Sequence, residues 1–206
     1  MLAGVLWLGF LLGLRHAFEA DHLAAVTSLS SRVSRRRDML RIAAAWGLGH
    51  TLTLTAAGTV IVAAGIAWSP DGRWAHAGEL LAGGVLVWLG ADVLRRAVRS
   101  HSDATVTAAP TFASRALLVG GLHGLEGSGA VVLIALPALR STTQAFVYLG
   151  LFGAGSILGM LASSLAMSLP LGFAARRWTW STRALQFGVG ATSIILGGAM
   201  AITALP

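Results

Sequence analysis

The chain has 206 residues, 55% hydrophobic and only 11% charged, with a mean hydropathy of +0.75. Soluble domains carry about a quarter charged residues, so this composition excludes one and describes an integral membrane protein with little mass outside the lipid bilayer. There is no cysteine, and all fifteen basic residues are arginine, which excludes disulfides and thiolate metal sites, a P-loop lysine and a Schiff-base lysine.

Six apolar blocks follow one another, at roughly 2–27, 42–67, 78–94, 115–138, 145–172 and 183–205, most of them close to or beyond the roughly 20 residues a spanning helix needs. The expected fold is therefore all-α, a polytopic membrane protein with six transmembrane helices. The first block carries Arg15, His16, Glu19, Asp21 and His22 in its middle, which no cleaved signal peptide tolerates. On one continuous helix, His16, Glu19, Arg15 and His22 fall within about 120° of one another, and Asp21 lies off that stripe. His16 and His22 are then about 9 Å apart along the axis. A single ion touching His16, Asp21 and His22 requires a kinked or unwound helix, as transporter sites often have.

The second block contains Trp46-Gly47-Leu48-Gly49-His50-Thr51, and the third Gly83-Gly84 and Gly90, with Asp92 spaced to pair with Arg95 or Arg96 as an interfacial ion pair. Residues 100–114, polar with a proline, read as a linker. The fourth block holds His123-Gly124-Leu125-Glu126, the fifth Phe152-Gly153-Ala154-Gly155-Ser156-Ile157, and the sixth Gly188, Gly190 and Gly197. Gly9/Gly13, Gly120/Gly124 and Gly155/Gly159 are small-xxx-small pairs that suit close helix packing.

The halves 1–99 and 115–206 resemble each other. His16-x-x-Glu19 matches His123-x-x-Glu126 at an offset of 107, and Trp46–Thr51 matches Phe152–Ile157 at an offset of 106. Three spans per half is an odd number, so the second copy inserts upside down, an inverted repeat with its site at the repeat interface near the midplane. The segments after blocks 1, 3 and 5 hold twelve arginines (Arg32, Arg35, Arg36, Arg37, Arg41, Arg95, Arg96, Arg99, Arg115, Arg176, Arg177 and Arg183), against Arg73 and Arg140 on the other side. Charge so distributed is a topology signal, not a nucleic-acid face. By the positive-inside rule the linker is cytoplasmic and both termini lie outside.

Ionisable groups in a bilayer cost roughly 2.5–3.5 kcal/mol each and default to a functional reading. Here they cluster as His16, Glu19, Asp21, His22, His50, His123 and Glu126. Glu19, Asp21 and Glu126 supply −3 when ionised and Arg15 supplies +1; the remaining −2 matches a divalent cation. Nitrogen and oxygen donors without sulfur suit Ni²⁺, Co²⁺, Zn²⁺ or Mn²⁺ and disfavour Cu(I). The plain alternative is structural: Arg15–Glu19 and His123–Glu126 pair within their helices, and histidines hydrogen-bond between helices. A metal exporter exchanging ions for protons, a histidine-ligated redox protein and a non-transporting scaffold share parts of this pattern.

The string Arg15-His16-Ala17-Phe18-Glu19-Ala20-Asp21-His22 fits H-x4-D-H and resembles the first-helix signature of the nickel/cobalt transporter family, within the LysE-type transporter superfamily. Gly49-His50-Thr51 resembles its second-helix element; His123-Gly124-Leu125 and Gly155-Ser156 resemble the second half of the short, six-span, UreH-type urease accessory branch. The resemblance implies a permease in the bacterial cytoplasmic membrane, not an enzyme. It moves Ni²⁺ or Co²⁺ inward, with the metal on His16, Asp21 and His22 and with His50 beside them. No bound cofactor is implied. A homo-oligomeric state and a cytoplasmic metallochaperone that receives the ion are left open. Glu19 stands where many members have aspartate.

Overall fold

Backbone amides and carbonyls in hydrocarbon must be satisfied within the segment itself, which leaves the helix as the only option for single apolar runs. A computed structural model of the chain describes residues 2–31, 35–64, 72–99, 110–125, 141–177 and 179–205, and among these it contains seven helices and no strand. They are α1 (Leu2–His16), α2 (Ala20–Ser30), α3 (Arg36–Ala64), α4 (Arg73–Arg99), α5 (Pro110–His123), α6 (Thr142–Arg177) and α7 (Thr179–Thr203). Three stretches, Arg73–Arg99, Thr142–Met167 and Arg183–Thr203, are long and apolar enough to cross a membrane by themselves.

The first apolar block is not one helix. Phe18 N–H donates to the Arg15 carbonyl and Glu19 N–H to the His16 carbonyl in tight turns, and Glu19 is extended, with φ −66° and ψ 152°. The chain re-enters a helix when Leu23 N–H donates to the Glu19 carbonyl. At 1.5 Å per residue, α1 and α2 are about 22 Å and 16 Å long, each shorter than the roughly 30 Å hydrocarbon core of a bilayer. The fourth block also ends its first helix early, at His123, followed by a turn at residues 124–125. In addition, α5 begins at Pro110, inside the stretch read as linker. Proline fits a helix start, where its missing N–H would have had no partner.

Packing runs mostly across the two halves of the sequence: α1 lies along α6, α3 along α5 and α4 along α7. Glycines set these approaches. A Cβ on Gly13 would collide with the Phe152 carbonyl, and one on Gly155 with the Phe10 carbonyl. Likewise a Cβ on Gly49 would strike the Leu117 carbonyl and one on Gly120 the Trp46 carbonyl. Gly9 faces Tyr148 while Gly13 faces Phe152, so α1 and α6 run parallel; Gly49 opposite Leu117 and Thr53 opposite Gly121 make α3 and α5 parallel too. Gly83 opposite Gly197 and Gly90 opposite Gly190 make α4 and α7 antiparallel. Such small-residue seams replace the hydrophobic drive that lipid does not supply. At the α2–α7 contact, the buried hydroxyls of Ser28 and Ser193 hydrogen-bond at 2.9 Å. Asp92 and Arg96 pair within α4 at 2.9 Å, as their spacing predicts.

Candidate metal centre

The break in the first block brings its polar residues together. His16 is the last residue of α1; Asp21 and His22 lie in the first turn of α2. Their imidazole centres are 4.2 Å apart, less than half the separation a continuous helix imposes. Breaking the helix also swings Asp21 inward, while Arg15 is exposed. The stripe drawn on an unbroken helix therefore does not survive, because its 100° increments stop at residue 16.

Two further elements complete the cluster. His50 comes from the middle of α3 and His123 from the end of α5. All four imidazoles are buried: His16 is 4% exposed, His50 2%, and His22 and His123 0%. His16 Nε2 and His50 Nε2 are 3.2 Å apart, one donating its proton to the other. His123 Nε2–H donates to Asp21 Oδ2 at 2.9 Å, and the same oxygen lies 2.7 Å from His22 Nδ1, at ion-pair distance without hydrogen-bond alignment. His22 Nε2 and His50 Nδ1 are buried with no hydrogen-bond partner among the described residues. Burying unpaired imidazole nitrogens costs free energy, which a ligand on those nitrogens would offset.

Among the described residues, two groups have the donor spacing of a metal site: His16, His22 and His50, and Asp21, His22 and His123, the atoms of each lying within 4.8 Å of one another. Glu19 belongs to neither. Its side chain is 41% exposed, and its Oε2 accepts from His16 Nδ1–H at 2.9 Å. A carboxylate in that position fixes the imidazole's tautomer and turns Nε2 toward the centre, the usual arrangement behind a metal-bound histidine. Glu19 thus bonds His16 in place of the Arg15 pair that the i, i+4 spacing allows. Glu126 lies outside the described residues. Asp21 is the one carboxylate in the two donor groups, so the −2 obtained by counting charges along the sequence is not what these groups present.

Two aromatic walls escaped the search for titratable residues. The Trp46 ring, fully buried, lies 5.3 Å from His22, 5.7 Å from His123 and 6.1 Å from His50. Phe152 lies 5.5 Å from His16. They occupy matching places at the offset of 106, and that match was the available signal. Ser156, which corresponds to His50 at the same offset, is also fully buried, and its hydroxyl has no partner among the described residues.

An apolar helical bundle that gathers its four buried imidazoles into one nitrogen-and-oxygen cluster has the make-up of an integral membrane protein that handles a metal ion. The family described as high-affinity nickel-transport protein matches residues 2–91. The urease accessory protein UreH of Bacillus sp. (strain TB-90) is 31% identical over 190 residues, covering 85% of this chain and 81% of that protein. The chain belongs to this nickel-transporter family, whose members carry ions and are not enzymes. No solved structure gives a significant match.

Proposed function

We propose that this protein is a permease that carries Ni²⁺ or Co²⁺ inward across the bacterial cytoplasmic membrane, through a site made of His16, Asp21, His22, His50 and His123. The observation that carries the reading is the convergence of four buried imidazoles and one carboxylate from α1, α2, α3 and α5, elements of both halves of the chain. Neutral imidazole with one carboxylate is a donor set suited to late first-row divalent ions. Glu19 holds His16 in its ligating tautomer.

The two halves form an inverted repeat. Support comes from the pairing of α1 with α6 and α3 with α5 in parallel, and of α4 with α7 in antiparallel fashion. That is the pattern two upside-down copies of a three-helix unit produce. Both termini face outward and the 100–114 linker is cytoplasmic, by the arginine distribution. A membrane potential of 100 mV favours inward movement of two charges by about 4.6 kcal/mol, so uptake needs no nucleotide. A cytoplasmic metallochaperone is the natural receiver of the ion.

Purified protein in liposomes tests this. An inside-negative potassium diffusion potential is expected to drive accumulation of radiolabelled nickel at least tenfold above empty liposomes. Cobalt should compete and magnesium should not. No accumulation under either polarity would refute transport, and accumulation only against an imposed proton gradient would make the protein an exporter.

A further inference from the structure

We propose that the centre is two overlapping metal positions sharing one imidazole, and that an ion passes between them by changing nitrogens on His22. The proposal rests on the transport reading above and adds to it how the site is organised. The first position is His16, His22 and His50; the second is Asp21, His22 and His123. His50 and His123 belong to different groups, and their ring centres are 6.3 Å apart. At metal–nitrogen bonds of about 2.0–2.1 Å, two donors on one ion are at most about 4.2 Å apart, and among the described residues no group of donor atoms within 4.8 Å of one another holds both His50 and His123.

His22 sits between the two positions, its ring centre 4.2 Å from that of His16, 5.0 Å from His50 and 4.7 Å from His123. Its two nitrogens have different surroundings. Nδ1 lies 2.7 Å from Asp21 Oδ2, on the side of the second position, while Nε2 is buried without a partner among the described residues and is assigned to the first. A neutral imidazole has one nitrogen lone pair to offer and a proton on the other nitrogen. His22 therefore serves one position at a time, and the two are mutually exclusive. When the ion moves from Nε2 to Nδ1, the Nδ1 proton leaves through Asp21 Oδ2, 2.7 Å away, and Nε2 takes up a proton once the ion has left it, so the total of protons and charge is unchanged. The ion exchanges three neutral nitrogens for two nitrogens and a carboxylate, so the step needs no domain-scale motion.

The test uses full-length protein in detergent, with Co²⁺ as a spectroscopic probe and Ni²⁺ in titration calorimetry. Wild type is expected to bind one ion per chain. His50→Gln should keep one ion, within about tenfold of wild-type affinity, with the visible cobalt bands of a mixed nitrogen–oxygen set. His123→Gln should keep one ion at similar affinity with the bands of an all-nitrogen set. Asp21→Asn, nearly isosteric, should match His123→Gln and decides the matter if that variant is lost on size exclusion. In liposomes each variant should lose at least tenfold in uptake while still binding. Loss of more than about a hundredfold in affinity in both His50→Gln and Asp21→Asn would show a single composite centre, and two ions per wild-type chain would show independent sites; either overturns the proposal. Wild type that binds no ion would instead overturn the transport reading itself.

Discussion

His22→Ala is the sharpest perturbation of the centre. It deletes a fully buried ring that lies beside Asp21 and common to both donor groups, so neither group keeps three donors. Four-ligand zinc sites bind with about 10–16 kcal/mol; divided among the ligands, each is worth about 3 kcal/mol, or about a hundredfold in affinity. Nickel affinity measured by calorimetry in detergent should therefore fall about a hundredfold, and potential-driven uptake into liposomes should disappear. Glu19→Gln supplies the internal scale. Glu19 is partly exposed and touches the cluster through His16 Nδ1 alone, so its loss should weaken binding about 10–100-fold, no more than His22→Ala does. A monodisperse His22→Ala protein that binds nickel within threefold of wild type would refute the assignment of these imidazoles to the metal.

The packing makes predictions of its own. Gly120→Ala puts a methyl group into the Trp46 carbonyl, and Gly49→Ala puts one into the Leu117 carbonyl; each should cost about 1–3 kcal/mol and lower the melting temperature in detergent. Gly84→Ala and Gly150→Ala meet nothing within 4 Å, so equal losses at all four positions would contradict the seam. Ser28→Ala and Ser193→Ala should each destabilise, and a double-mutant cycle should return a coupling of about 0.6 kcal/mol, the average for hydroxyl-type bonds between membrane helices; zero coupling would mean the hydroxyls do not pair. Asp92→Asn breaks a partly exposed pair with Arg96 and should cost about 0–1 kcal/mol while nickel uptake stays at wild-type level. A transport defect there would move the ion's path away from the histidines.

The helices were legible because lipid removes alternatives: a long apolar run can only be a helix, and the blocks that follow Arg41 and Ser141 need no tertiary knowledge. The cluster was legible for a related reason, since a charge or imidazole in oil is costly enough to be informative singly. A shared ion on His16, Asp21 and His22 requires a break in this helix, but its place at residues 17–19 could not be read. Ala17, Phe18 and Glu19 contain no proline or glycine, so local propensity gives no stop signal; the interruption is imposed by the residues packed around it. Without it, the helical wheel turns Asp21 away and brings Arg15 in, the reverse of what the folded chain does. The Ser28–Ser193 bond was hidden because a lone serine in an apolar helix carries no periodic signature. Trp46 and Phe152 were visible as a matched pair, yet their role against the imidazoles becomes plain only once His16 and His50 are neighbours.

The crossed pairing of the halves bears on how a cell makes this protein. When the linker has just been translated, the partners of Gly13, Gly49 and Gly83 have not been synthesised. Three helices must wait side by side with their closest-fitting faces turned to lipid, and the first half has no finished state of its own. Two fragments cut at residues 100–109 should each be degraded when expressed alone and should survive together, each acting as the other's chaperone.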